Sequence, residues 1–303
     1  MHLQPKRPRR CVLSVPGSSE KMMAKASATE VDQILLDLED AVAPNAKAAA
    51  RGQVVTALNT LDWQAKVLCV RINDVQTQWC HDDVIEVVTG AGARIDTLML
   101  TKTKCAGDVK FLHLLLDQLE LKLGLTKRIG IECLIEDVEG LMNVEEIAAS
   151  SDRLEAMTFG MGDYSASQQM HLESVGSTGD YPPDIWHYPR YKMTIACRAF
   201  GLDPIDGPYA DFKDLATLAN ESKYALTLGM TGKWAIHPSQ VAIAQDTFSP
   251  DSATLATARK QKAAYEQALK DGLGAISVDG VMVDAASIRM LQNTLDRADL
   301  MGL

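Results

Sequence analysis

Short apolar runs recur along the chain, and longer segments with the composition of helices separate them. The separating segments include residues 46–58 and 108–123, which are rich in helix-forming residues. Strands that alternate with helices in this way predict βαβ units and a parallel sheet. The strand-like runs are residues 12–15, 33–38, 67–72, 97–100, 129–135, 156–160, 204–205 and 234–236. Eight such units favour an α/β fold with a closed TIM (β/α)₈ barrel over an open doubly wound sheet.

The last part of the chain, residues 246–303, lies beyond the eighth run. Its pattern predicts a helix over residues 254–269, a hairpin with an Asp-Gly turn over 275–284, and a helix over 285–300. A segment of this size is not expected to bury a core alone. We therefore expect a barrel domain, residues 1–245, followed by a C-terminal lid that packs on its own barrel or covers the site of a neighbouring subunit.

Composition and charge agree with one large domain and exclude some partners. The chain has 303 residues, is 47% hydrophobic and carries a formal net charge of -10, so a general nucleic-acid surface is not expected. The six cysteines lack a C-x-x-C spacing, which is typical of buried thiols in a reducing compartment. No signal-peptide pattern is present, and no apolar run approaches the roughly 20 residues of a membrane span. We expect a cytoplasmic protein without a membrane partner.

Basic residues cluster at positions 6–10, at the start of an otherwise acidic chain. Composition alone favours a solvated tail for this run. The alternative is a local site for phosphate groups.

Polar side chains follow every strand-like run, and three of them indicate chemistry. Glu136 comes directly after the fifth run, Asp163 follows the sixth after Met161 and Gly162, and Arg71 lies near the end of the third. Because the carboxyl ends of parallel strands meet at one face of a barrel, these side chains are expected to converge. Two carboxylates and an arginine predict a divalent metal that holds an oxyanionic substrate beside a guanidinium. The alternative is a set of ion-paired rim residues.

Longer motifs give the chain a resemblance to a known family. The two most specific are Leu36-Asp37-Leu38-Glu39-Asp40-Ala41-Val42 and Gly232-Lys233-Trp234-Ala235-Ile236-His237-Pro238-Ser239-Gln240. Val283-Asp284-Ala285-Ala286-Ser287 is a third. With these motifs the chain resembles the citrate lyase β-subunit-like branch of the HpcH/HpaI aldolase superfamily, and within it the malyl-CoA/β-methylmalyl-CoA lyases.

The resemblance implies a TIM barrel with a C-terminal lid, a Mg²⁺ ion for which Mn²⁺ can substitute, and a CoA thioester with a small 2-oxo acid. It also implies a homo-oligomer, a trimer or hexamer, in which one subunit's lid covers the next subunit's site. Glu136 and Asp163 match the metal ligands, Arg71 the arginine beside the thioester, and Asp284 the acid/base from the neighbouring lid. The matched substrate or CoA contacts are Arg10, Lys25, Glu39, Asp40, Lys102, Pro208 and Ile236. The match of Arg10 favours the phosphate interpretation of the basic run.

The reaction implied is the reversible, Mg²⁺-dependent cleavage of L-malyl-CoA or β-methylmalyl-CoA to glyoxylate and acetyl-CoA or propionyl-CoA. Four alternatives remain: a citramalyl-CoA lyase that releases pyruvate, a citrate lyase β subunit, a malyl-CoA thioesterase, and a non-catalytic CoA-ester-binding subunit. Thr101, Asp137 and Gln168 depart from the family pattern and leave the exact acyl and oxo-acid partners open. Asp284 also fits a plain helix N-cap, since aspartate is a preferred cap.

Overall fold

Residues 5–171 and 184–303 are described by a computed structural model, in which two compact units comprise residues 1–245 and 246–303. Within the described part of the first unit, eight parallel strands close into a barrel, as the alternation of runs and helices predicts. The strands are β1 (Cys11–Pro16), β2 (Gln33–Asp37), β3 (Val67–Ile72), β4 (Thr97–Leu100), β5 (Gly130–Ile135), β6 (Leu154–Phe159), β7 (Asp203–Asp206) and β8 (Gly232–Ala235).

The barrel closes where β1 pairs with β8, with Val12 opposite Trp234. Side chains alternate between the inside and outside of the barrel along each strand. One buried cluster takes one side chain from every strand, as a filled layer inside a TIM barrel does. Its members are Val12, Leu35, Cys69, Met99, Leu134, Ala156, Ile205 and Trp234.

Helices connect the strands and cover the outside of the barrel. They are α1 (Glu20–Ser27), α2 (Lys47–Thr60), α3 (Cys80–Ala91), α4 (Ala106–Leu123), α5 (Val138–Met142), α6 (Val144–Ala149), α7 (Met161–Ser167), α8 (His187–Phe200), α9 (Leu215–Thr227) and α10 (Val241–Thr247). In the described residues, none of the helices combines the length and the apolar character needed to cross a bilayer. All six cysteines are free thiols.

The strands β6 and β7 extend beyond the predicted runs because buried charges interrupt the apolar pattern. The sixth strand begins at Leu154 instead of residue 156, and Glu155 lies within it. The seventh extends to Asp203 and Asp206 on either side of the predicted residues 204–205. Glu155 and Asp203 both pair with Arg9, and Asp206 pairs with Lys233, so each charge is neutralised where the pattern suggested a loop.

The basic run forms the N-terminal closure of the barrel. Arg9, only 3% exposed, donates from Nε to Glu132 (3.1 Å), from Nη1 to Asp203 (3.0 Å) and from Nη2 to Glu155 (2.5 Å). These carboxylates come from β5, β7 and β6. A Cβ on Gly232 would lie 1.8 Å from the Arg9 carbonyl oxygen, so glycine is required where this segment crosses β8. The prediction of a solvated tail is therefore wrong.

The second unit contains the predicted helix, hairpin and helix. They are α11 (Ser252–Lys270), β9 (Ala275–Val278), β10 (Val281–Asp284) and α12 (Ala285–Met301). The hairpin turns at Asp279 and Gly280, which both have positive φ, as a tight hairpin turn requires. The expectation that this segment buries no core of its own is too strict, because two small clusters form within it. One contains Leu255, Ala258, Leu295 and Ala298, and the other Tyr265, Val278 and Val283.

Candidate active site

A cleft of about 320 Å³ opens among the residues that end the strands or follow them. Both polar and apolar side chains line it. The lining residues are Ser14, Pro16, Met22, Asp37, Ala41, Arg71, Leu134, Glu136, Gly160, Met161, Gly162, Asp163, Pro208, Trp234 and Ile236. The cleft therefore brings together Arg71, Glu136 and Asp163, the three residues that are predicted to carry the chemistry.

The two predicted metal ligands lie in different surroundings within this cleft. Glu136 follows β5 and is 4% exposed, whereas the Asp163 side chain, in the first turn of α7, is 45% exposed. Burial raises the pKa of Glu136 well above its usual range, Lys102 opposes the rise, and the charge of Asp163 adds to it. A Cβ on Gly160 would lie 2.9 Å from Glu136 Oε2, so this glycine keeps the space beside that oxygen open. A cation between these carboxylates would relieve both their burial and their repulsion.

The donor set fits a small, hard divalent cation. In residues 5–171 and 184–303, no group of three or more His, Cys, Asp or Glu side chains is arranged to hold a metal. Glu136 and Asp163 could offer two protein carboxylates to a cation in this cleft. Mg²⁺ accepts such a site, because it keeps several waters or substrate oxygens in its octahedral shell. A zinc site would need three or four nitrogen, sulfur or carboxylate ligands from the protein.

Arg71, near the end of β3, is held rigidly at the wall of the cleft. Its Nε donates to Asp37 Oδ1 over 2.8 Å, its Nη2 contacts Asp37 Oδ2, and its Nη1 lies 3.0 Å from Glu39 Oε2. The guanidinium carbon lies 5.1 Å from the centroid of the Trp234 ring, at cation–π distance. A guanidinium has five N–H donors, so donors remain for a ligand after these three contacts.

Lys102 connects the acidic side chains around the cleft. Its backbone N–H donates to Glu136 Oε1 over 2.9 Å. Its ammonium contacts Glu39 Oε1 and lies 3.6 Å from Asp40 and 3.7 Å from Asp163. Burial alone would lower the pKa of Lys102, but the hydrogen bond to Glu39 and the nearby carboxylates raise it, so the ammonium stays charged.

Most of the predicted substrate contacts lie at this cleft. Pro208 and Ile236 form part of its wall. Glu39 and Asp40 lie next to it, since the Lys102 ammonium near both of them also lies 3.7 Å from Asp163 of the cleft lining. Lys25 is exposed in the last turn of α1, one helical turn beyond Met22 of the cleft lining.

Arg10 does not lie at this cleft, and its assignment to CoA is corrected. It precedes β1, so it lies at the N-terminal end of the barrel, opposite the end where Glu136 and Asp163 lie. Its Nη2 pairs with Asp32 Oδ1 at 2.7 Å, and Nε and the backbone N–H donate to Oδ2 of the same carboxylate. The phosphate interpretation of the basic run fails for the same reason, since Arg7 and Arg9 are committed to carboxylates there.

Asp284 belongs to the second unit and is described there by itself. It is the N-cap of α12, and its Oδ1 accepts hydrogen bonds from Ser287 N (2.8 Å) and Ser287 Oγ (2.9 Å). These bonds lower the pKa of Asp284, first through the backbone N–H and then through the hydroxyl. The N-cap interpretation is therefore confirmed, and the acid/base role stays a prediction.

Two functional side chains were missed as site residues. Asp37 is the buried carboxylate that orients Arg71, and its Oδ1 also accepts the Glu39 N–H at 2.7 Å. Trp234 supplies the aromatic face beneath the guanidinium. The available signal was an acid near the end of the apolar run 33–38 and a tryptophan inside a barrel strand, each within one of the two most specific motifs.

Comparisons with known proteins agree with this geometry. The L-malyl-CoA/β-methylmalyl-CoA lyase of Cereibacter sphaeroides is 40% identical over 98% of this chain and 97% of its own length. The (3S)-malyl-CoA thioesterase of the same species is 34% identical over 96% of this chain and 95% of its own. The crystal structure of CitE from Mycobacterium tuberculosis with magnesium, acetoacetate and coenzyme A superposes with a TM-score of 0.76, at 28% identity, over 98% of this chain and 100% of that one.

A family model extends over most of the barrel. It is described as HpcH/HpaI aldolase/citrate lyase and matches residues 10–238. This range includes Arg71, Glu136 and Asp163, and the near-full-length identity to the lyases extends through the second unit. The chain belongs to the HpcH/HpaI aldolase/citrate lyase family.

Proposed function

We propose that this protein is a Mg²⁺-dependent acyl-CoA lyase that cleaves L-malyl-CoA and β-methylmalyl-CoA to glyoxylate and acetyl-CoA or propionyl-CoA. One observation carries the proposal: Glu136, Asp163 and Arg71 line the same cleft, near or just after the C-terminal ends of barrel strands. Similarity to lyases with these substrates supports the choice of reaction.

Glu136 and Asp163 are the residues that would hold the metal. When bound, Mg²⁺ supplies Lewis-acid polarisation of a substrate hydroxyl and carboxylate, and Mn²⁺ can replace it because both accept octahedral oxygen ligands. The family relative CitE was crystallised with magnesium.

The reaction is a retro-aldol cleavage in which protons and electrons balance. A base removes the proton of the substrate hydroxyl, whose carbon becomes the aldehyde carbon of glyoxylate. The carbon–carbon bond breaks, and its electron pair passes into the thioester as an enolate. The enolate carbon then takes up a proton and becomes the methyl or methylene group of the released acyl-CoA.

Arg71 stabilises the thioester oxygen, where negative charge develops. Because Asp37, Glu39 and Trp234 fix its guanidinium before substrate arrives, little reorganisation is needed during the reaction. The apolar side chains of the cleft, including Met22, Met161 and Leu134, exclude water and strengthen this interaction. Lys25, exposed on α1 and matched to a substrate or CoA contact, would offer its ammonium to the CoA phosphates.

Asp284 moves the protons, supplied by the second unit of a neighbouring subunit in a homo-oligomer. Its pKa in the uncovered unit is low, so it begins as a carboxylate that can accept a proton. Burial on docking would raise that pKa towards the range of an efficient acid/base. Exposed apolar side chains on the same hairpin and helix, Val281, Met282 and Met290, are suited to such docking.

A product assay with three substrates tests the proposal. The protein with Mg²⁺ is incubated separately with malyl-CoA, β-methylmalyl-CoA and citramalyl-CoA, and oxo acid and free thiol are measured independently. We expect glyoxylate from the first two without free thiol. Pyruvate from citramalyl-CoA as the best reaction would instead identify a citramalyl-CoA lyase.

A thioesterase is the second candidate, favoured by the 34% identity to a (3S)-malyl-CoA thioesterase. It would release free CoA thiol and malate without any oxo acid, because water attacks the thioester and the carbon–carbon bond stays intact. Free thiol in the absence of glyoxylate would replace the lyase by this activity.

A further inference from the structure

The C-terminal end of the barrel holds more carboxylates than the proposed metal site uses. Among residues 5–171 and 184–303, five acidic side chains gather around the cleft, and Arg71 and Lys102 are the basic side chains whose charged groups contact them. The acids are Asp37, Glu39, Asp40, Glu136 and Asp163. A divalent cation placed here would attract all of them. Something must therefore decide which carboxylates become ligands.

Asp37 and Glu39 are both held by cations. Asp37 is engaged by Nε and Nη2 of Arg71. Glu39, which is 5% exposed, lies between two cations: its Oε1 contacts the Lys102 ammonium, and its Oε2 lies 3.0 Å from Arg71 Nη1. Glu39 Oε2 also accepts the Asp40 N–H at 2.9 Å. Each Glu39 oxygen thus has a partner other than a metal.

The backbone conformation of Lys102 lets this residue contact two different carboxylates. Its φ of 47° lies in the left-handed region, which residues other than glycine rarely adopt. In this conformation the backbone N–H points to Glu136 while the ammonium extends to Glu39. One residue therefore contacts a proposed metal ligand through its backbone and a competing carboxylate through its side chain.

We propose that Lys102 is a positioning residue that keeps Glu39 away from the metal and so limits the protein to two carboxylate ligands. The inference rests on the metal site of the proposed function. A hydroxyl–carboxylate substrate needs two free positions in the octahedral shell of the metal. A third protein carboxylate would take a position that otherwise stays open to water or substrate, bind the ion more tightly and narrow the choice of adjacent positions for the substrate. Lys102 acts in this way through Glu39 and not by contacting the substrate.

The Lys102→Met variant of the full-length protein tests the proposal without any assay of activity. Mn²⁺ affinity is measured from the EPR signal of the free ion, and water-proton relaxation counts the waters on the bound ion. We expect binding at least about fivefold tighter than wild type, because a further carboxylate joins the site. We also expect one fewer bound water.

Lys104→Met is the matched control. Lys104 lies two positions along the same loop, its side chain is 30% exposed against 29% for Lys102, and it pairs with Asp137 instead of Glu39. It removes the same charge without freeing Glu39, so the number of bound waters should stay at the wild-type value. The double variant Glu39→Gln/Lys102→Met should regain the lost water, because the amide cannot replace the carboxylate.

The outcomes separate this inference from the proposed function. If the wild type binds Mn²⁺ but Lys102→Met binds it with unchanged or lower affinity, or with the same number of waters, the role of Lys102 is contradicted alone. If the wild type binds no divalent cation, both proposals fail. If the metal data agree but no substrate is cleaved, the positioning role stands and the lyase reaction fails.

Discussion

The two ends of the barrel use charge in opposite ways. At the N-terminal end, Arg9 contacts Glu132, Glu155 and Asp203 and is almost fully buried. At the C-terminal end, the carboxylates around the cleft outnumber the two cations that contact them, and Asp163 remains partly exposed.

We therefore expect the N-terminal end of the barrel to contribute to stability and the C-terminal end to contain the reaction site. Charges at the N-terminal end satisfy each other within the chain, so that end needs no ligand. A cation from outside would relieve the excess of carboxylates at the C-terminal end, which is the face where barrel enzymes place their sites. Substitutions at the two ends should therefore affect different measurements.

The largest effect is expected for Asp163→Ala. It removes a proposed metal ligand at the rim of the cleft, so kcat/KM should fall at least about 1,000-fold, while the melting temperature stays close to wild type. Steady-state kinetics and thermal unfolding measure the two quantities. Asp211→Ala is the control, since it removes an exposed acid between β7 and α9 and should keep wild-type activity. Full activity of Asp163→Ala would disprove the ligand assignment.

Next in size are Arg71→Ala and Asp284→Ala, each expected to lower kcat at least about 100-fold. If Asp284 acts on a neighbouring subunit, co-refolding the two inactive variants should restore part of the activity. Some sites in the mixed oligomers would then combine an intact barrel with an intact second unit. Mixed oligomers verified by mass spectrometry but without activity would contradict this arrangement. Asp284→Ala should also bind Mg²⁺ normally, and loss of the metal would show that its role is misassigned.

At the opposite end, Arg9→Met should affect stability instead of catalysis. Removing Arg9 from this buried ion network leaves Glu132 without a cation and Glu155 with Arg7 alone, at a cost of about 3–5 kcal/mol in the free energy of unfolding. Denaturant unfolding measures this loss, and kcat per folded molecule should be unchanged. Arg128→Met, which removes the exposed pair with Asp152, should cost less than about 1 kcal/mol. Equal losses of stability for Arg9→Met and Arg128→Met would contradict the stabilising role given to the buried charges at the N-terminal end.

The smallest effect is expected for Arg10→Ala on substrate binding. A barrel strand, about 20 Å long, separates Arg10 from the cleft, so KM for the CoA ester should change by less than about twofold. Lys25→Ala, at the proposed phosphate contact, should raise KM about fivefold. Binding isotherms or steady-state kinetics with the same CoA ester compare the Arg10→Ala and Lys25→Ala variants. A larger effect at Arg10 than at Lys25 would reverse the assignment.

Much of the fold follows from hydrophobicity alone, because a barrel strand buried on both faces is a short apolar run. The strands at 67–72 and 97–100 have the predicted limits. A pattern of apolar runs does not reveal the strand residues that are both buried and charged. Glu155, Asp203 and Asp206 lie within strands, but only their partners in space, which a linear pattern does not reveal, make this possible.

The residues of the site divide in the same way, into those that a linear pattern reveals and those that only contacts in space reveal. The convergence of Arg71, Glu136 and Asp163 in one cleft was predictable because they lie near or just after the ends of parallel strands, and that position determines which face they reach. Asp37 was missed because an acid inside an apolar run has no obvious role until Arg71 is placed beside it. Arg10 was misassigned by family resemblance, although its position before β1 already indicates the opposite end of the barrel.

The central claim is that the carboxylates at the C-terminal end hold a divalent cation that the reaction requires. The most direct measurement is malyl-CoA cleavage by wild-type protein after removal of metal with EDTA and dialysis, followed by titration with Mg²⁺. We predict that glyoxylate formation is lost and then returns to its original rate with added Mg²⁺. Full activity in the demetallated protein would contradict the claim.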